Sequence, residues 1–146
     1  LSALNSEITI RTYPIRLTEE NVQEIISQYD IVVDGCDNFS TRYLINDICA
    51  EMGKVYVYGA ICGFEGQVSV FHYGEEKKSY RDLYPDEEEM RRMPPPPKGV
   101  MGITPAVTGS IEATEVLKII CGFGEVLSGK LWTIDLRTLQ SNKFSL

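Results

Sequence analysis

No Gly-x-Gly-x-x-Gly turn follows a strand anywhere in this 146-residue chain, so a dinucleotide-dependent oxidoreductase has no phosphate-cradling loop to build on. Cysteine is sparse. Cys36, Cys49, Cys62 and Cys121 are scattered with no Cys-x-x-Cys pair, which argues against a zinc cage and against an extracellular disulfide framework. Basic residues are few: 14 Lys and Arg against 21 Asp and Glu leave a net charge of −7 and a pI near 4.7. That is the wrong sign for a nucleic-acid phosphate backbone, and no nucleic-acid partner is expected. No apolar run approaches the ~20 residues of a membrane helix, no secretory segment is visible, and a soluble, cytoplasmic protein is expected. His72, the only histidine, ends an alternating stretch, which favours a rim or core role over general-base catalysis.

What is present is ordinary globular composition, 43% hydrophobic, enough for one core across residues 1–146. The first residue, Leu1, is not an initiator methionine, and the chain reads as cut from something longer. Glu7 to Tyr13 alternates polar and apolar residues and reads as a strand. Thr18 is a candidate cap for a helix running to about Tyr29, with Val22, Ile25 and Ile26 on one face. Ile31-Val32-Val33 is a short apolar run of the kind found in parallel strands covered on both faces.

A helix is expected from Ser40 or Thr41, where Leu44, Ile48 and Met52 recur every four residues and Gly53 stands at its end. Val55 to Tyr58 follows as a strand, and strand and helix in alternation predict an α/β fold with a mostly parallel sheet flanked by helices. After Gly59 the grammar changes to antiparallel strands, beginning with Gln67 to Phe71. Residues 74–99, charged and proline-rich, read as a long mobile loop in which Pro94 to Pro97 form a stiff spacer. A helix is expected over Ser110–Cys121, then a closing hairpin from Leu131 to Phe144.

Ligands on open parallel sheets bind beyond the carboxyl ends of strands, which directs attention to Asp34-Gly35-Cys36-Asp37-Asn38 after Ile31-Val32-Val33. A carboxylate there can hold Mg²⁺ against a triphosphate, and a neighbouring amide can bond phosphate or ribose oxygens. The same two residue types are also favoured helix caps, so spacing alone leaves both readings open. Cys36 beside them reads as a packed thiol rather than a nucleophile.

The longer string from Asp34 to Asp47 resembles the Asp-x-x-Asp-Asn-x-x-x-Arg segment of the ThiF/MoeB/HesA family. Further stretches match in order: Gly59-Ala60 with Gly63-Phe64-Glu65-Gly66-Gln67, Tyr80-Arg81, Gly99-Val100-Met101, and Gly109 to Ala113 with Glu115 to Lys118. The resemblance covers nearly the whole chain and implies its C-terminal portion only, a Rossmann-like sheet continued by antiparallel strands whose N-terminal nucleotide-binding half is absent. It implies an adenylyltransferase that uses ATP and Mg²⁺ to activate the C-terminal glycine of a ubiquitin-like sulfur-carrier protein, with thiamine biosynthesis favoured. Carried over by position, Asp37 and Arg42 would be catalytic, Asp37 and Asn38 would contact the nucleotide, and Asp37 would hold the metal. A homodimer is implied, and the fragment alone is expected to be inactive.

Two departures matter. The family's zinc-binding Cys-x-x-Cys reads Ser79-Tyr80-Arg81-Asp82 here, so no zinc is expected. The loop before Gly99, where relatives carry a sulfur-transfer cysteine, has none. The alternatives are a MoeB-like molybdopterin carrier activator and a non-catalytic partner subunit of the same fold. Tyr80, Arg81 and Tyr84 read equally as carrier contacts or as pins for their loop.

Overall fold

The computed structural model describes residues 1–94 and 99–146. Its centre is one five-stranded sheet in the order β1 (Ile31–Val33), β2 (Val55–Cys62), β3 (Glu65–Phe71), β4 (Lys130–Asp135) and β5 (Gln140–Ser145). β1 runs parallel to β2 with Ile31 opposite Val55, and the later pairs are antiparallel. The fold is therefore α/β with a mixed sheet, its parallel part being the β1–β2 pair.

The helix α2 (Phe39–Met52) connects that parallel pair. Asn38, in extended conformation, caps it by accepting the Thr41 amide at 2.9 Å. Gly53 ends it in the left-handed region, φ 63°, where the Lys54 amide closes on the Cys49 carbonyl. Alternation along β2 and β3 sends two sets of side chains to opposite faces. Tyr56, Tyr58 and Phe71 meet Tyr43 of α2 and Tyr80 in one core. On the other face Val57, Val68 and Val70 pack with Leu127 and with Ile111, Val116 and Ile119 of α5 (Ile103–Cys121).

Several expectations are corrected. Glu7 to Tyr13 is not a strand; it is exposed, and its links to the body include the bond from Arg11 to Gln28 Oε1 at 2.6 Å. Alternation creates a strand only where a ladder receives it, and this segment pairs with no described strand. The first helix, α1 (Val22–Ile26), is shorter than its apolar spacing suggested. Thr18 does not cap it by its side chain: the Thr18 amide donates to Asn21 Oδ1 at 2.9 Å, forming a turn before the helix. α5 begins at Ile103, well ahead of Ser110, because Pro105 falls in a first turn that needs no amide donor there.

Residues 74–99 are not loop throughout. They hold α3 (Tyr80–Leu83) and α4 (Glu87–Arg92), the second capped by Asp86 and carrying three glutamates in its first turn. The expected proline spacer lies outside the described residues apart from Pro94. Among the described residues, no helix is long and apolar enough to cross a membrane.

Candidate active site

The turn after β1 is held from inside. Asp34 is buried, and its Oδ1 accepts the Cys36 amide at 2.7 Å. Its Oδ2 accepts from Arg42 Nε at 2.8 Å and from the Tyr56 hydroxyl at 2.9 Å. Arg42 Nη2 also donates to the carbonyls of Cys36 and Gly59. Burial works against the Arg42 charge, but the Asp34 carboxylate outweighs it and holds the guanidinium protonated above its ordinary pKa. Burial, then Asp34, pushes the Tyr56 hydroxyl well above its usual value and the Cys36 thiol up to about 12. Cys36 is thus an unreactive neighbour.

On this frame the turn presents Asp37 and Asn38. The Asn38 amide does two things at once. Its oxygen caps α2, and its nitrogen donates to Asp37 Oδ1 at 3.1 Å. The Asp37 carboxylate is exposed, and its Oδ2 has no hydrogen-bond partner among the described residues. The capping role therefore belongs to Asn38 and leaves Asp37 facing outward. Arg42, by contrast, faces inward and is committed to the turn itself.

Asp37 stands on a cavity of about 910 Å³ that also reaches Arg42 and the second half of β2, and extends over β3 and β4 under Met90 of α4. Its described lining carries the carboxylates of Asp34, Asp37, Glu65, Glu112 and Asp135 but a single cation, Arg42. An exposed carboxylate such as Asp37 suits Mg²⁺, which takes one or two protein carboxylates and completes its shell with phosphate oxygens and water. A triphosphate needs more positive charge than this lining supplies. Among the described residues no group of three His, Cys, Asp or Glu could hold a metal.

Glu112 and Thr108 on α5 were not singled out by sequence reasoning. Glu112 is 7% exposed, and its carboxyl is pushed up to about 7 by burial and then by Asp34, against the pull of Arg42. A Cβ at Gly59 would overlap that carboxyl, and one at Gly66 would overlap the Thr108 hydroxyl. The signal available was two glycines inside strand patterns, which mark close approach of another element.

The Ser79-to-Asp82 stretch forms a capping box at the start of α3. Tyr80 is fully buried, its amide donating to Asn46 Oδ1 at 2.9 Å, and Arg81 grips Asp47 and Glu87. Tyr84 accepts the Tyr43 hydroxyl at its carbonyl, so these residues pin their segment. His72 bonds the carbonyl and side-chain oxygens of Asn46, half-buried behind α2, and burial lowers its pKa.

The model of the ThiF family matches residues 1–146. A probable molybdopterin-synthase adenylyltransferase of Pyropia yezoensis is 45% identical over 98% of this chain and 38% of its own length. A sulfur carrier protein adenylyltransferase of Thermus thermophilus is 46% identical over 92% of this chain and 52% of its own length. The chain thus spans about half or less of these curated relatives. Among solved structures, E. coli MccB with ATP superposes with a TM-score of 0.74 at 18% identity, over 99% of this chain and 44% of that one, a likeness of fold.

Proposed function

This chain belongs to the ThiF family, and we propose that it forms the part of a carrier-protein adenylyltransferase that bears the metal-holding carboxylate. The observation that carries the reading is the Asp37–Asn38 pair: an exposed carboxylate fixed by a capping amide at the mouth of a cavity large enough for a nucleotide and a peptide end. The names of its relatives, adenylyltransferases for a sulfur carrier and for molybdopterin synthase, support the same activity.

In the proposed reaction the terminal glycine carboxylate of a ubiquitin-like sulfur carrier attacks the α-phosphorus of ATP. A carboxylate oxygen–phosphorus bond forms, the bond to the bridging oxygen of pyrophosphate breaks, and an acyl adenylate results. Mg²⁺ held by Asp37 would neutralise phosphate charge. Asn38 orients Asp37, and Arg42 acts from beneath by keeping the Asp34–Asn38 turn in place, so that charge and alignment do the work. The further cations for the triphosphate come from outside the described lining, and the isolated chain is expected to be inactive.

Thiamine and molybdopterin carriers are both of this class, and the relatives' names, one for molybdopterin synthase and one for a sulfur carrier, support the molybdopterin reading as well as the thiamine one. The test is ATP–pyrophosphate exchange by the full-length protein with each purified carrier. Exchange that requires a carrier with an intact Gly-Gly end supports the reading; no exchange with either carrier removes it.

A further inference from the structure

Where the family carries its zinc-binding Cys-x-x-Cys, this chain places Ser79 and Asp82, and both side chains are engaged in other bonds. Ser79 Oγ donates to Asn46 Oδ1 at 3.1 Å and accepts the Arg81 amide at 3.2 Å, while Asp82 Oδ2 accepts the Ser79 amide at 2.7 Å. His72 stands beside them. Its Nε2 faces two acceptors, the carbonyl and the Oδ1 of Asn46, so that nitrogen carries the hydrogen and is not free to bind a metal. A structural zinc site draws on thiolates and imidazole nitrogens. A hydroxyl, a carboxylate turned onto its own helix start and an N–H that donates elsewhere do not fit one.

What fills the place is centred on Asn46 of α2, which is 1% exposed. Its Oδ1 takes three donors: the Tyr80 amide at 2.9 Å, the Ser79 hydroxyl and His72 Nε2. Its Nδ2 donates to Asp47 Oδ1 at 2.9 Å. Asp47 in turn receives a fork from Arg81, Nε at 2.9 Å and Nη2 at 2.6 Å, and Arg81 reaches on to Glu87 of α4 at 2.8 Å. α2 thus holds the start of α3 directly and the start of α4 through Arg81. Between those two grips lies Tyr84, whose hydroxyl accepts from Gln67 Nε2 at 3.0 Å. Tyr84 and Met90 line the same cavity as Asp37. The helix whose start sets Asp37 therefore carries, about two turns on, the anchor of the cavity's cover.

We propose that Asn46, Asp47, Ser79 and Arg81 form a metal-free clasp, standing where the family binds zinc, that positions Tyr84 and Met90 over the cavity. Asn46 and Arg81 are positioning residues: they act through the segment they hold. The effect on catalysis rests on the adenylyltransferase reading above, and the clasp itself does not. A cover that is closed only part of the time weakens each ligand beneath it in proportion to the closed fraction, and leaves the saturated complex as it was.

The test is amide hydrogen exchange over residues 79–84 of the full-length protein, with the amides of β2 and β3 as the standard for an intact fold. A zinc chelator is expected to leave residues 79–84 as protected as before. Asn46→Ala is expected to speed their exchange about tenfold or more, and Arg81→Gln about threefold, since these bonds carry the local stability of the segment. The Arg81 side chain is 41% exposed, so its replacement spares the core and decides the matter alone if Asn46→Ala does not fold. Deprotection of residues 79–84 by the chelator, or wild-type protection in either folded variant, would overturn the clasp. In pyrophosphate exchange Arg81→Gln is expected to raise the KM for ATP, for the carrier or for both about threefold at unchanged kcat, whereas simple loss of folded enzyme lowers kcat alone. Unchanged KM values would remove the positioning role. No exchange by the wild type removes the adenylyltransferase reading and leaves the clasp to stand or fall on hydrogen exchange.

Discussion

Arg42 Nε meets Asp34 Oδ2 at 2.8 Å, with the aspartate side chain fully out of solvent and the arginine side chain 9% exposed. The pair closes the turn that carries Asp37, since the same guanidinium bonds the Cys36 carbonyl within that turn. Breaking a buried pair strands the surviving charge, which costs about 3–5 kcal/mol. Arg42→Met is therefore expected to lower unfolding stability by that amount, read from urea midpoints. A loss below about 1 kcal/mol would put the pair among ordinary surface bridges and free Arg42 for direct contact with substrate.

Asn38 separates structure from chemistry. Asn38→Asp keeps a good cap for α2 but sets a second carboxylate beside Asp37, whereas Asn38→Ala loses the cap at a cost of about 1 kcal/mol. The Asp variant is expected to melt near the wild-type temperature with weakened Mg²⁺–ATP-dependent exchange. Full exchange in that variant would show that the amide nitrogen bonded to Asp37 is dispensable.

Gly59→Ala should be destabilising because the new methyl overlaps the Glu112 carboxyl. The overlapped atoms are the far end of a flexible side chain that can swing aside, so the cost is expected at the low end of overpacking, about 1 kcal/mol. Shortening the opposing side chain, as in Gly59→Ala with Glu112→Ala, is expected to recover part of the loss, giving a coupling energy in a double-mutant cycle. Simple additivity would place the strain elsewhere.

These contacts also mark what was legible in the sequence. The turn from Asp34 to Asn38 and the Gly53 stop are local, encoded by residue types within one helix length, and lie where the pattern put them, while α2 starts at Phe39, ahead of the expected Ser40 or Thr41, with Asn38 rather than Asp37 as its cap. Glu7 to Tyr13 failed because pairing is a relation to another strand, which alternation alone does not supply. Glu112 went unread for the same kind of reason. Its burial depends on a distant glycine, Gly59 of β2, while in the helix pattern it is one more acidic residue. The stretch between Gly74 and Pro94 looked structureless from its charge, but Tyr80 finds its core through Tyr43 and Tyr58, contacts that no local rule reports.

The stability of the fold is expected to depend on pH through burial of the Glu112 carboxyl. Its pKa is raised from 4.5 to about 7 by burial first and by Asp34 second, so the folded state holds a proton that the unfolded state releases across that interval. The other groups around it are Arg42, Asp37, Glu65 and Asp135 in the cavity and Glu115 on its own helix, the last paired with Lys118. Below 4.5 the residue carries no penalty; as pH rises toward 7 the folded state loses stability relative to a chain without it. Glu112→Gln should consequently be more stabilising at pH 8 than at pH 5 in paired urea titrations. An equal effect at both values would mean that the carboxyl titrates normally.

The most direct test of the account is Asp37→Ala in the full-length protein, measured by carrier-dependent ATP–pyrophosphate exchange with a melting curve alongside. Asp37 is exposed and its side chain packs against nothing that holds the fold, so the melting temperature is expected to stay within the wild-type scatter. Exchange is expected to fall by about 10²-fold or more, as when a group that stabilises transition-state charge is removed. Wild-type exchange in a normally folded Asp37→Ala protein would contradict the claim that this strand-end carboxylate serves the reaction.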